Sequence, residues 1–267
     1  MTDQTTRTAL VTGASSGIGA AVAAALVRRG YRVYGTSRRP ETVTDPVPGV
    51  EYLALDLTDE SSITACAQAA GAVDVLVNNA GESQSGPLEE LPPEAVERLF
   101  RTNVFGAVRL TQLLLPGMRA RRYGRVVMIG SMLASFPLAY RSSYVASKAA
   151  LRGFADALRR EVSPYGVGVA TVEPGSINTG ISERRTQYVR QDSPFAAEYR
   201  TMLAALNDNE AKGVPPESVA ATIVRAIEAD SPRPLYAVGS NAPVVFALRR
   251  LFPRSLILRM VARRHGL

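Results

Sequence analysis

Tyr144 and Lys148 stand four residues apart, so on a helix they lie one above the other on a single face. A free phenol titrates at about 10 and exchanges a proton poorly at neutral pH. A cation within ~4–6 Å favours the phenolate, which suits the pair to general acid–base work. The spacing is common and means little alone. Two further features give it weight. Ser131 lies 13 residues upstream, at the end of the apolar run GRVVMIG, where a strand's carboxyl end places reactive groups. The chain also holds 29 arginines but only two lysines, Lys148 and Lys212. A compact ammonium rather than a planar fork has been kept beside the tyrosine.

A second candidate lies near the N-terminus, at Thr12-Gly13-Ala14-Ser15-Ser16-Gly17-Ile18-Gly19. It closes an apolar strand and opens a helix. Glycines there let the chain turn tightly and bring backbone N–H groups against a pyrophosphate at the helix's positive end. The spacing is G-x3-G-x-G, and its weight comes from its place at the first strand–helix junction.

The elements that must position these residues follow a β-then-α rhythm. Apolar runs recur at 8–13, 31–36, 50–55, 73–78, 124–130, 167–172 and 234–239. Between them lie segments of helical spacing; in 19–29, Ala20, Ala23, Ala24 and Val27 share a face. Continuous rather than alternating apolar strands indicate a parallel sheet covered on both faces. The pattern predicts one doubly wound α/β domain across residues 1–267, with two interruptions. Residues 180–213 form a long insertion after the sixth strand, and residues 240–267 follow the seventh. Insertions at a strand's carboxyl end usually serve a site.

The ordered motifs resemble those of the short-chain dehydrogenases/reductases, in the compact branch of that family. Besides the glycine loop they comprise Asn78-Asn79-Ala80-Gly81, Asn103, Ser131, Tyr144-Val145-Ala146-Ser147-Lys148, and Pro174-Gly175 with Thr179. The match covers about residues 8–180 and continues less distinctly to 239. It implies a Rossmann-type, seven-stranded parallel sheet and hydride transfer at a nicotinamide. Tyr144 would protonate the developing alkoxide and Ser131 would orient the carbonyl. Lys148 would lower the tyrosine's pKa and bind the ribose. Asn103 would hold a water for proton resupply, or else bridge backbone at a helix kink. Asp56, with Leu57 beside it, would contact adenine. Asn79, Ala80 and Gly81 would line the adenosine ribose, Asn79 alternatively bracing the sheet. Pro174, Gly175, Ile177 and Thr179 would wrap the carboxamide.

A 2′-hydroxyl is usually held by a carboxylate at the end of the second strand, and a 2′-phosphate by positive charge. Here that strand ends in Ser37-Arg38-Arg39. A guanidinium matches a phosphate, so NADP(H) is the expected cofactor unless these arginines are only solvated loop charges. By the same resemblance the substrate pocket draws on Met132, Leu133, Phe136, Pro137, Leu138 and Tyr140, on 82–86, and on the insertion as a mobile lid. Its apolar composition points to a hydrophobic ketone or secondary alcohol rather than a sugar or an acid. In the insertion, Tyr188, Phe195, Tyr199, Met202, Leu203 and Leu206 read as packing more than as pocket. An NAD-linked alcohol dehydrogenase and a nucleotide-binding sensor without turnover remain alternatives. Helices over 93–120 and 142–163 would form the interface of a homodimer or homotetramer.

Composition narrows the rest. The single cysteine, Cys66, and single histidine, His265, exclude a disulfide scaffold and a His/Cys zinc site. The N-terminus is not a signal peptide and no apolar stretch spans a bilayer, so a cytoplasmic location is expected. Of the net charge of +7, six arginines between 243 and 267 account for all but +1. That concentration disfavours a nucleic-acid surface, which would spread basic residues over a face. The tail reads as two short helices divided at Pro253, similar to the C-terminal extension of hydroxysteroid and retinol dehydrogenase-like members. It would cap the pocket or pack on a neighbouring subunit, lie on an anionic membrane, or bind another protein. His265 is expected in solvent, without a chemical role.

Overall fold

The computed structural model describes residues 6–180 and 183–267; Ile181 and Ser182 of the expected lid lie outside the described residues. The chain begins β1 (Thr8–Val11), α1 (Gly17–Val27), β2 (Arg32–Ser37), β3 (Val50–Ala54), α2 (Glu60–Ala70), β4 (Val75–Asn78) and the two-residue β5 (Gln84–Ser85). It continues through α3 (Pro93–Phe100), α4 (Gly106–Ala120), β6 (Gly124–Ile129), α5 (Met132–Ser135), α6 (Ser142–Val162) and β7 (Val167–Pro174). The remainder is β8 (Thr186–Gln187), α7 (Ala196–Ala211), α8 (Pro216–Glu228), β9 (Leu235–Val238), α9 (Ala242–Leu251) and α10 (Arg254–Arg264).

Seven strands form one parallel sheet in the order β3-β2-β1-β4-β6-β7-β9, and each coincides with an expected apolar run. β1 sits between β2 and β4, with Leu10 in register with both Tyr34 and Leu76. One face is covered by α1 and α8, which bury Val22, Leu26, Ile223 and Ile227 against Val11, Val77 and Val172. The other is covered by α2, α4 and α6, which bury Ile63, Leu110, Met118 and Leu151 against Leu10, Leu76 and Val126. Burial on both faces explains why the strands carry no polar alternation. The chain reverses direction across the sheet between β1 and β4, and a crevice opens there beyond the strands' carboxyl ends.

The sequence did not announce the small second sheet, in which β5 pairs with β8 and ties the insertion to the segment after β4. Among the described residues no helix is long and apolar enough to cross a membrane.

Candidate functional site

Helix α6 carries the reactive pair because its buried residues, among them Tyr144, Ser147, Lys148, Leu151 and Ala155, recur at helical spacing. The stripe that docks α6 on the sheet therefore also turns Tyr144 and Lys148 inward, at 8% and 5% exposure. Ser131 ends the path out of β6 and caps the short α5, its hydroxyl accepting the Leu133 N–H at 3.2 Å. All three face one cleft of about 230 Å³. The cleft extends from the end of the glycine loop at Ile18, past Asn79 and Gly81, to Met132, Leu133 and Phe136.

Burial dominates the electrostatics here. It pushes the Tyr144 phenol up, against the opposing pull of Arg141 and then of Ser131. It pushes Lys148 down to about 8. The Lys148 ammonium donates to the Ile129 carbonyl at 2.8 Å and lies 5.9 Å from the centre of the Tyr144 ring. The expected lowering of the tyrosine by Lys148 is thus not what this geometry produces. The cation closest over the ring is Arg141, at 4.5 Å from its centre.

The glycine loop is built around its own backbone. Gly13 and Gly17 adopt left-handed conformations, with φ of +66° and +56°, that favour glycine. Gly19 has no room for a side chain: a Cβ there would stand 2.1 Å from the Gly13 carbonyl and 2.6 Å from the Asn79 amide. Helix α1 starts with no side chain capping its N–H groups and no acid in its first turn. That open helix start and the side-chain-free cradle fit the pyrophosphate of a dinucleotide. Gly17 faces Thr179 across the cleft, and Thr179, with Pro174, Gly175 and Ile177, lines the far wall.

Several expected contacts take a different form. Asn79 spends its amide protons on the carbonyls of Thr12 and Gly13, at 2.9 and 3.2 Å. It therefore braces the loop while lining the cleft. The Thr12 hydroxyl accepts the N–H groups of both Asn79 and Ala80 at 2.9 Å, a role the sequence did not reveal. Leu57 packs its side chain into the layer under α4, and Asp56 holds the backbone and hydroxyl of Thr58 with Oδ1. Asn103 sits in a π-helical turn, Arg101–Phe105, between α3 and α4. Its amide accepts the Glu82 N–H at 2.7 Å and donates to the Glu82 carbonyl and the Ser147 hydroxyl. Asn103 therefore bridges backbone at this turn, as its alternative reading expects, while its Oδ1 keeps one lone pair free. Ser15 and Ser16 are exposed at the loop's mouth, and Ser16 accepts from Arg184 of the insertion at 3.0 Å. Arg38 and Arg39 are exposed at the end of β2, and neither has an ion-pair partner among the described residues.

On the substrate side, Met132, Leu133 and Phe136 line the cleft, whereas Leu138 does not. It is buried in a satellite core with Tyr199, Met202 and Leu206, because the insertion packs on it. That core bears out the packing reading of the stripe, although Leu206 also reaches the wall. The tail divides at Pro253 as expected. It packs Val245 and Ile257 against Met132 and Phe136 and brings Val245, Val261, Arg264 and His265 to the cleft. His265 is therefore not in solvent. It is 8% exposed, its Nδ1 lies 2.8 Å from the Val261 carbonyl, and burial pushes its pKa down. Arg141 and Glu210 complete the wall. Arg141 was legible as a neighbour of Tyr144 at i, i+3; Glu210, Arg264 and His265 arrive by long-range packing that no local spacing records.

A sequence model of a family described as short chain dehydrogenase matches residues 7–189. A 3-ketodihydrosphingosine reductase of Bacteroides thetaiotaomicron is 34% identical over 244 residues, covering 89% of this chain and 90% of that protein. The crystal structure of a short-chain dehydrogenase from Streptomyces avermitilis superposes with a TM-score of 0.82 at 37% identity, covering 94% of this chain and 93% of that one. A short-chain dehydrogenase from Burkholderia cenocepacia, solved in complex with NADP, gives 0.77 at 26% identity over 96% and 97%.

Proposed function

The chain belongs to the short-chain dehydrogenases, and from that premise we propose that it is an NADP(H)-dependent oxidoreductase acting on an apolar ketone or the matching secondary alcohol. The observation that carries this reading is the convergence of Ser131, Tyr144 and Lys148 on a cleft that opens at one end onto the glycine cradle and at the other onto apolar walls. When bound, the dinucleotide supplies or accepts the hydride. Gly13, Gly17 and the start of α1 hold its pyrophosphate. Ile177 and Thr179, on the far wall, would line its nicotinamide end, and Lys148 would serve its ribose.

The chain's own contribution is to fix the carbonyl and move one proton. Ser131 donates a hydrogen bond to the carbonyl oxygen and orients it. In reduction, Tyr144 passes its phenolic proton to the same oxygen; in oxidation it takes the alcohol's proton back. Asn103 acts as a positioning residue, tying the segment after β4 to Ser147 on α6. The exposed cations Arg38 and Arg39, in place of a carboxylate, support the 2′-phosphate. Phe105 and Phe154, 55% and 46% exposed on two helices of one face, support packing against a second copy of the chain.

The test is titration of NADPH and NADH, with NADPH oxidation followed across aliphatic and aromatic ketones. NADPH is expected to bind at least tenfold more tightly, about 1.4 kcal/mol, and Arg38→Asp to erase the difference. Tyr144→Phe should reduce turnover by roughly 10²–10⁴ with nucleotide binding intact. Equal affinity for the two nucleotides refutes the cofactor assignment. Turnover that survives Tyr144→Phe refutes the mechanism.

A further inference from the structure

Of the ten large apolar side chains that stand exposed among the described residues, six belong to residues 243–267: Val244, Leu251, Phe252, Leu256, Leu258 and Met260. That segment is less than a tenth of the chain, so the exposure is concentrated rather than scattered. The opposite side of the same two helices is already packed. Val245 and Ile257 lie against Met132 and Phe136, and Val261 and Arg264 reach the cleft. The corner between α9 and α10 is the most open point, with Leu251 at 76% and Phe252 at 42% exposure just before Pro253.

The same segment holds six arginines and no acid, and the rest of the chain sums to only +1. Each exposed apolar residue from Leu251 to Met260 stands one or two positions from Arg250, Arg254 or Arg259. None of the six arginines forms an ion pair among the described residues. The helix dipoles account for Arg249, Arg250, Arg263 and Arg264, which occupy last turns where a cation is favoured. They do not account for Arg254, which opens α10 at the end where a cation is disfavoured. A second copy of the chain is a poor occupant of this face. A two-fold contact would bring two sets of six guanidiniums together with no acid of the segment between them. The exposed Phe105 and Phe154 offer such a contact elsewhere.

We propose that the outer face of α9 and α10 docks on an anionic lipid bilayer. Leu251 and Phe252 enter the acyl boundary, while the neighbouring guanidiniums stay at the level of the lipid phosphates. The helices lie along the surface, since their 10 and 11 residues fall short of the ~20 that a span needs. Arg259 and Val261 stand on opposite sides of α10, and Val261 lines the cleft. The docked lipid is therefore separated from the cleft by about one helix diameter, ~10 Å. An apolar substrate dissolved in the bilayer is thereby held close to the site. That consequence rests on the oxidoreductase reading; the docking itself does not.

The experiment sediments the full chain with vesicles of phosphatidylcholine alone and with vesicles containing about 30% phosphatidylglycerol. Binding to the anionic vesicles is expected to be at least about tenfold stronger than to the neutral ones, and to weaken with added salt. Leu251→Ser with Phe252→Ser, and Arg250→Gln with Arg254→Gln, should each lower anionic binding about tenfold or more. None of these four residues lines the cleft, and a thermal melt checks that each variant is folded. The chain contains no tryptophan, so Phe252→Trp provides a single conservative reporter whose emission should shift to the blue on anionic vesicles. A wild-type protein that binds neither vesicle, or both equally, overturns the proposal. So does Phe252→Trp emission that the vesicles leave unchanged, because the contact would then lie elsewhere. Light scattering that shows Leu251→Ser with Phe252→Ser splitting a dimer, with vesicle binding intact, overturns it in favour of a second copy on this face.

Discussion

The two ends of the cleft are built by opposite means. At the glycine loop the cradle is formed by backbone, and the residue types follow from what backbone needs: no Cβ at Gly19, a left-handed turn at Gly13, an amide at Asn79 to tie the loop down. At the substrate end the contacts are made by side chains from elements far apart in sequence, namely α5, the insertion and the tail. The first end tolerates almost no change at its key positions. This is how one scaffold serves a fixed cofactor and a variable substrate.

The contrast breaks most sharply at Gly19. In Gly19→Ala the new methyl group would meet the Gly13 carbonyl at 2.1 Å, and that carbonyl is pinned by Asn79. The loop must move, so NADPH affinity should fall by more than about 100-fold, roughly 2.7 kcal/mol or more. Fluorescence titration reads the affinity, and a thermal melt shows whether the protein stays folded. Retained affinity would mean that the backbone of this loop does not form the nucleotide cradle.

At the other end the expected effect is smaller and of another kind. Val261 comes from α10, packs in both satellite cores and faces the cleft. Val261→Asp removes an apolar contact of about 1.5–3 kcal/mol and should raise KM for an apolar substrate roughly 10- to 100-fold. NADPH affinity should stay within about twofold. If both constants changed together, the two ends would be one cooperative unit and the distinction between them would fail.

The same distinction governs what could be read in advance. The seven strands were visible because a sheet buried on both faces forces unbroken apolar runs, and the loop because only glycine fits its turns. Tyr144 and Lys148 were visible because helical spacing is local. Leu138 and Phe136 are both apolar and only two residues apart, and no local pattern tells which faces the cleft. The insertion decides it by packing Tyr199 and Met202 on Leu138. His265 went unrecognised for the same reason: its burial comes from the fold of the tail over the cleft, 59 and 55 residues beyond α7's contribution to the same wall at Leu206 and Glu210, so no short-range period could reveal it. Asn103 was legible as a special position, but its partners, Glu82 and Ser147, come from different elements.

The smallest effect bears on the seam between the two ends, at Lys148. Burial lowers its pKa to about 8 from an ordinary value of about 10.4, so below pH 8 the folded protein carries an ammonium it holds at a cost. Between about pH 8 and 10.4 the unfolded chain binds the proton that the folded one has released, and stability contributed by this group therefore rises with pH across that window. Lys148→Met removes the buried charge but strands the Ile129 carbonyl that accepts from it, which offsets part of the gain. The variant should be more stable than the wild type by about 1–2 kcal/mol at pH 7 and lose the rise above pH 8, as chemical denaturation at several pH values would measure. Its turnover should collapse all the same if Lys148 has the proposed role at the ribose and the reacting end. A Lys148→Met protein less stable at pH 7 would mean that the lysine is there to hold β6 and α6 together, and that its position beside Tyr144 is a consequence of packing.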